Sequence, residues 1–400
     1  MLYKIFIAKR YLEQVIMFPF VLLGKWLSIK HPLLEEYDIF FFFPGYAIGG
    51  AERVNVEIVK SLPEKKIIIF FTKKSANDGM RHLFNLPNVT IRDISLWTDN
   101  KFRYWNNLLY RGICSNYINR QKNKPVVFIG QCNFGYKLTP HLKKDINIFE
   151  LIHMLDKRFT WVWAPFIKFI KTRVVIAEYF KNTFIQYYDQ LGIPQKYTKR
   201  ITVIKYCLEE TPSVYARSGF NLPLSVYYGG RGGPQKRIWI IIKIIRACIE
   251  KKLPVTFKLA GSFKDELPPE FSEDNNIYVG EIKGGKAMYE FHKENDILLM
   301  TSAWEGFPIV IMEAMACGSV VLTVDVDAIP EFIKSNENGF LISNNMNENE
   351  IVKDAVERIA FLCNHPGILN DVSKNAFHYA ATHFSPDVFR KAYRNLLLKK

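Results

Sequence analysis

Cysteine is sparse in this chain, and its six copies are scattered: Cys114, Cys132, Cys207, Cys248, Cys317 and Cys363. No two stand close enough for a zinc knuckle or a redox pair, so they read as reduced thiols of a cytosolic protein. There is no internal repeat and no low-complexity tract. Acidic residues are also short, 39 against 54 Lys and Arg, which leaves a net charge of +15. Such an excess needs a partner, and nucleic acid and an anionic membrane surface are the obvious two. No nucleic-acid motif is present and the basic residues sit among large aliphatics, so no nucleic-acid partner is expected. A long hydrophobic run is missing too. The longest near the N-terminus, Val15 to Gly24, is about half the ~20 residues that span a bilayer. No small-residue cleavage site follows it, which argues against a signal peptide. Flanked by Lys4, Lys9, Arg10, Lys25, Trp26 and Lys30, it suits an interfacial amphipathic segment or a helix packed on the protein body.

What the chain does have is 48% hydrophobic residues over 400 positions, enough for two ordinary domains. Short apolar runs alternate with longer helical stretches. Residues 38–43, 66–71, 126–130, 146–150 and 173–177 read as buried parallel strands, with a helical spacing over Ala51–Val59. The pattern restarts at 201–204 and continues through 224–230, 255–261, 276–280, 297–300 and 320–324, with a helix expected over 235–251. The expectation is α/β: two doubly wound Rossmann-like domains facing each other across a cleft, with ligands beyond the strand carboxyl ends. The divisions are a 1–37 extension, domains over 38–205 and 206–384, and a terminal stretch over 385–400 whose Pro386–Leu398 looks helical.

Three blocks carry chemistry. In Ser302-Ala303-Trp304-Glu305-Gly306-Phe307-Pro308-Ile309-Val310-Ile311-Met312-Glu313, Phe307 is pushed out of the helical region by the following proline. Pro308 suits a first helical position, and Gly318 suits the place just past a helix end. A loop carrying Glu305 therefore leads into a short helix carrying Glu313, and free N–H groups at that helix start suit phosphate oxygens. In Gly229-Gly230-Arg231-Gly232-Gly233-Pro234-Gln235-Lys236, a guanidinium and an ammonium flank a Gly-rich turn after a strand, a fitting diphosphate clamp. Gly49-Gly50-Ala51-Glu52-Arg53 follows the first strand of the first domain, where a glycine pair lets backbone approach a ligand.

These blocks resemble the motifs of retaining nucleotide-sugar glycosyltransferases of family four, the group 1 glycosyl transferases of GT-B fold that build bacterial cell-surface polysaccharides. Glu305-x7-Glu313 is similar to the family's E-x7-E, Arg231 with Lys236 to its Gly-Arg-x4-Lys element, and Gly49 to Glu52 to its Gly-Gly-Ala-Glu. The resemblance implies that Glu313 accepts the ribose hydroxyls, that Glu305 contacts the donor sugar, and that Gly49 and Gly50 face the donor phosphate or the acceptor. It implies that Arg231, Lys236 and the N–H groups of Ile309 and Val310 neutralise the leaving diphosphate. His153 would stand near the transferred sugar and the attacking hydroxyl, with Ser302, Gly306, Phe307 and Pro308 shaping the donor site. Asp296 matches a family aspartate of structural role, and the C-terminal helix should cross back to the first domain. Two positions depart from the family: Lys205 stands in the region of a usual asparagine, and Asp327-Ala328-Ile329-Pro330-Glu331 replaces a commoner Gly-Gly-x-Pro-Glu.

The implied reaction moves a sugar from a nucleoside diphosphate to a hydroxyl with retention. The diphosphate cations stand where a metal would, so no metal and no other cofactor is expected. The implied partners are a UDP- or GDP-sugar, a glycan or polyprenyl-linked acceptor, and an anionic membrane, with the protein peripheral at the inner face of the cytoplasmic membrane. Aromatic and basic residues alternate in Arg158–Lys171 and Lys101–Trp105, which suits a headgroup interface or a buried helix with solvated lysines. A noncatalytic subunit of the same fold, bound to a partner glycosyltransferase, is the alternative. An epimerase or phosphorylase on this fold is disfavoured by the Glu305–Glu313 block.

Overall fold

The computed structural model describes residues 2–210, 214–282, 284–344 and 347–399. The chain divides into two units, Met1–Lys205 with Arg390–Lys400, and Tyr206–Phe389. The first unit holds β1 (Ile39–Phe43), β2 (Ile67–Phe71), β3 (Val89–Asp93), β4 (Val126–Gly130), β5 (Asn147–Ile152), β6 (Thr172–Val175) and β7 (Ile201–Val203). They form one parallel sheet in the order β3-β2-β1-β4-β5-β6-β7. The order reverses between β1 and β4, the switch point where such sheets open a crevice. β1 is fully buried, which explains its continuous apolar run. Its rings meet those of both neighbours: Phe42 stacks on Phe70 at 5.2 Å, and Phe41 meets Phe128 at a tilt with centroids 5.3 Å apart.

The second unit repeats the plan with β8 (Leu224–Gly229), β9 (Val255–Ala260), β10 (Tyr278–Gly280), β11 (Ile297–Met300), β12 (Val320–Val324) and β13 (Phe340–Ile342). The order is β10-β9-β8-β11-β12-β13, all parallel, with its switch point between β8 and β11. The helix expected from residue 235 begins at Ile238 and ends at Glu250. The cause is local: Arg237 takes a left-handed conformation with φ of 52°, which stops the helix from starting earlier.

The N-terminal segment differs from its expectation. It is one 29-residue helix, Leu2–Lys30, long and apolar enough to cross a membrane by length and composition. The ten-residue apolar run is only its middle. One face packs on the protein. A Cβ at Gly24 would stand 2.0 Å from the Leu109 carbonyl oxygen, and one at Gly112 2.0 Å from that of Val21. These two glycines let this helix and the helix Tyr104–Asn119 touch backbone to backbone. Nearer its start, the Arg10 guanidinium lies over the Trp161 ring at 5.4 Å and pairs with Glu13. The rest of the helix exposes Leu12, Val15, Ile16, Phe18, Leu23 and Trp26.

The aromatic–basic stretch after Asp156 is not one helix. It breaks into Lys157–Phe159, Thr160–Trp163 and Ala164–Phe169. Trp163, Phe166 and Ile167 turn inward while Phe159 and Trp161 stay exposed. The last helix, Pro386–Leu398, begins in the second unit, and from Arg390 onward it belongs to the first. There Arg390 pairs with Glu57 at 2.6 Å, Arg394 with Glu64 at 2.7 Å, and the Tyr393 ring lies 6.1 Å from that of Phe128.

Candidate active site

In the second unit, two loops at the carboxyl ends of β8 and β11 are stitched together. The Gly-rich turn leaves β8 at Gly230, whose N–H donates to the Ala260 carbonyl at 3.0 Å. Glycine is required here: a Cβ at Gly232 would meet Glu266 Oε1 at 2.0 Å, and Gly233 has φ of 98°. The Gly233 N–H donates to Glu266 Oε1 at 2.7 Å, so a carboxylate outside the motif sets the shape of the turn. Gln235 Nε2 donates to the Trp304 carbonyl and the Ala303 N–H to the Gln235 carbonyl, each at 2.8 Å. Arg237 Nη2 donates to the Ser302 carbonyl at 3.1 Å.

This stitching brings together two of the expected residues. Lys236 Nζ forms an ion pair with Glu305 Oε1, with the side chains 13% and 7% exposed. The Glu305 N–H donates to Asp327 Oδ2 at 2.8 Å, so backbone and side chain are both held. Asp327 has φ of 48°, in the left-handed region that favours glycine. That is the physical reason a glycine fits this position in the family pattern. Here an aspartate takes the strained conformation and adds an acceptor. Arg231 is exposed and makes no ion pair among the described residues; the Tyr228 hydroxyl donates to its carbonyl at 2.6 Å.

The helix after this loop runs Ile309–Ala316, with Pro308 at its N-cap rather than inside it. Ile309 and Val310 are its first residues, so their N–H groups have no acceptor within the helix. Glu313 lies on it, buried. Gly318 has φ of 72°, and the Ser319 N–H reaches back to the Ala314 carbonyl at 2.9 Å, a left-handed helix stop. Phe307 is buried against the Phe332 ring, with centroids 3.9 Å apart. Ser302 is buried with its hydroxyl unpaired, and Trp304 is partly exposed. Asp296 accepts from Arg217 at 2.7 Å and from the Ser225 N–H at 2.8 Å, an anchor beneath β8 and β11. Burial raises its carboxyl above the usual range.

In the first unit, Gly49 precedes the helix Gly50–Lys60 in an extended conformation, so Gly50 opens the helix. His153 follows β5, and its N–H donates to Gln131 Oε1 at 3.0 Å. Desolvation pushes its imidazole down to about 4. Gln131, with φ of 48°, also donates to the Met154 carbonyl at 3.2 Å, tying the loops after β4 and β5. A cavity of about 200 Å³ lies at these strand ends, lined by Lys73, Gln131, Asn133, Tyr136, Met154 and Trp163 among others. None of these, nor Glu266 or Asp327, was singled out as a site residue from sequence. For Lys73, Gln131 and Asn133 the signal was position just after a strand, and for Asp327 the place of a family glycine.

The chain contains an Asp-x-Asp triplet, Asp325-Val326-Asp327, the pattern that holds metal in other transferases. Its second carboxylate is the one on the Glu305 N–H. Among the described residues, no three His, Cys, Asp or Glu side chains converge as metal ligands.

Residues 222–378 match the family model of glycosyl transferases group 1. The match covers 157 of the 400 residues, all of them within the second unit. The chain is 28% identical over 120 residues to an uncharacterised protein of the Klebsiella pneumoniae cps region, covering 30% of this chain and 33% of that protein. Against the trehalose synthase of Pyrococcus horikoshii it is 23% identical over 314 residues, covering 70% and 72%. The chain thus spans a third of the first relative's length and nearly three quarters of the second's. Among solved structures, Anabaena HepE in complex with UDP and glucose superimposes with a TM-score of 0.69, covering 90% of this chain and 99% of that one at 15% identity. The pneumococcal O-GlcNAc transferase GtfA with UDP and GlcNAc gives 0.69 over 91% and 99%, at 11% identity. These likenesses show that the chain has the GT-B fold.

Proposed function

We propose that the protein is a glycosyltransferase that moves a sugar from UDP or GDP to a hydroxyl of a glycan or lipid-linked oligosaccharide, with retention and without a metal. The observation that carries the reading is the buried Lys236–Glu305 pair beside the Gly-rich turn, within the unit that matches the family. As the glycosidic bond lengthens, negative charge grows on the departing diphosphate. Arg231, Lys236 and the N–H groups of Ile309 and Val310 stabilise it. Lys236 is held by Glu305 until the diphosphate takes over the ammonium. Glu305 then faces a sugar of oxocarbenium character, the charge its carboxylate favours. Glu313 accepts the ribose hydroxyls, Gly49 and Gly50 bring backbone to the donor phosphate or acceptor, and neutral His153 stands by the attacking hydroxyl. The leaving phosphate takes the acceptor proton on the same face of the sugar, which keeps the anomeric configuration.

The relative in a cps region and the solved UDP complexes support a UDP-sugar donor and a role in capsule or lipopolysaccharide assembly. The exposed apolar face of the helix Leu2–Lys30, rimmed by lysines, supports a peripheral site at the inner face of the cytoplasmic membrane. The test is nucleoside diphosphate release from UDP- and GDP-sugars, with Glu313→Ala alongside and with EDTA in excess. Release that survives EDTA and disappears in the variant supports the reading. Activity lost to EDTA and restored by Mg²⁺ overturns metal independence. Absence of both release and nucleotide binding favours the noncatalytic subunit.

A further inference from the structure

Behind Glu313 lies a histidine that the reaction scheme above does not use. His292, on the helix Lys286–Glu294, is fully buried. Its Nδ1 stands 2.7 Å from the Tyr227 hydroxyl. Its Nε2 has no hydrogen-bond partner and stands 3.7 Å from Glu313 Oε2. The rest of the residue is pinned. Its carbonyl accepts from Ser319 Oγ at 2.6 Å and from Arg217 Nη2 at 3.4 Å, and the Tyr227 ring meets the imidazole edge-on at 5.5 Å.

The tautomer follows from the neighbours. If Nδ1 carried the proton, the Nε2 lone pair would face a carboxylate at close range. With the Tyr227 hydroxyl donating to Nδ1, Nε2 carries the proton and points it at Glu313. A buried donor without an acceptor is unfavourable, so the pair gains by closing. A carboxylate shift of under about 1 Å reaches an ordinary N–H···O distance.

We propose that His292 is a positioning residue for the donor site. Relayed from Tyr227, it holds the Glu313 carboxylate in the orientation that meets the ribose hydroxyls of a nucleoside diphosphate. The proposal rests on the reading of Glu313 as the ribose acceptor. It adds that recognition of the ribose is set from behind, by a side chain that never touches the nucleotide.

The test is binding of UDP and GDP, and of their 2′,3′-dideoxy forms, to the full chain by calorimetry. In the wild type, removing the hydroxyls is expected to weaken the preferred nucleotide about tenfold, the worth of one charge-assisted hydrogen bond. His292→Phe is expected to weaken the ribonucleotide by a similar ~tenfold and to leave the dideoxy form unchanged, with no further loss when combined with Glu313→Ala. Tyr227→Phe keeps the ring and removes only the hydroxyl. It should weaken the ribonucleotide alone by roughly threefold, and it decides the matter if His292→Phe does not fold. Equal weakening of both nucleotide forms, or losses that multiply in the double variant, overturns the proposal in favour of simple packing. Ribose discrimination that persists in Glu313→Ala overturns the assignment of Glu313 itself. Failure of the wild type to bind either nucleotide overturns the donor reading and this proposal together.

Discussion

Lys236 and Glu305, 69 positions apart in sequence, form an ion pair that is almost wholly buried. Removing one partner leaves the other charge buried alone. Lys236→Met is expected to destabilise the chain by about 3–5 kcal/mol and to lower turnover by about 10²–10³. The double variant Lys236→Met/Glu305→Met is expected to recover much of the stability and none of the turnover. Thermal unfolding and nucleoside diphosphate release, measured side by side, check both. A double variant as unstable as the single one would contradict this account.

Asp327 combines strain with a useful acceptor. Asp327→Gly relieves the left-handed backbone and loses the bond to the Glu305 N–H; Asp327→Ala loses the bond and keeps the strain. The alanine variant should therefore be the less stable of the two by roughly 1 kcal/mol. Both should lose turnover by the same factor. Unequal turnover under conditions where both variants are fully folded would show that the strain itself matters to the reaction.

The exposed face of the N-terminal helix predicts lipid binding that depends on single side chains. Ile16 and Leu23 are 73% and 46% exposed, so charging them disturbs no core. Ile16→Asp/Leu23→Asp is expected to lower co-sedimentation with anionic phospholipid vesicles by about tenfold or more and to leave nucleotide affinity unchanged. Unchanged sedimentation would remove the membrane reading of this helix.

The crossing of that helix depends on two glycines. Gly112→Leu would drive a side chain into the Val21 backbone. The N-terminal helix is expected to detach and become open to limited proteolysis near residue 31, while the second unit keeps its melting transition. A protease-resistant variant would show that the crossing tolerates separation.

His141 and His153 both have imidazoles pushed down to about 4 by burial, from about 6.5 for an ordinary imidazole. The unfolded chain then binds more protons than the folded one between those values. Stability is complete above pH 6.5 and falls as the pH drops toward 4. His141→Asn/His153→Asn is expected to flatten that decline in urea titrations across the same window. An unchanged slope would assign the acid sensitivity elsewhere.

Legibility followed the physics of each element. β1 and β12 could be read because strands buried on both faces are continuous apolar runs. β3, Val-Thr-Ile-Arg-Asp, was missed because an edge strand with a wet face carries polar residues. β13 was missed because its three apolar residues stand alone between Asn338-Gly339 and Ser343-Asn344, whereas the equally short β7 and β10 sit in longer apolar runs. At the site, Glu305, Glu313 and the Gly-rich turn were legible because each is a local pattern. The partners that fix them were not. Glu266 on the turn, Asp327 on Glu305 and His292 behind Glu313 act across 33, 22 and 21 positions, and only the fold brings them near. Arg237 showed a related limit: left-handed backbone at a non-glycine residue leaves no mark in composition.

The helix Pro386–Leu398 has a consequence for synthesis. From Arg390 on it belongs to the unit that the first 205 residues build. Tyr393 lies fully buried against Phe128, and Arg390 joins Lys60 on the buried Glu57 carboxylate. During translation the first unit emerges early yet stays open along this seam until residue 393 has left the ribosome. For most of its time as a nascent chain it waits with an uncovered apolar strip, and the interval before closure is when chaperone protection matters most.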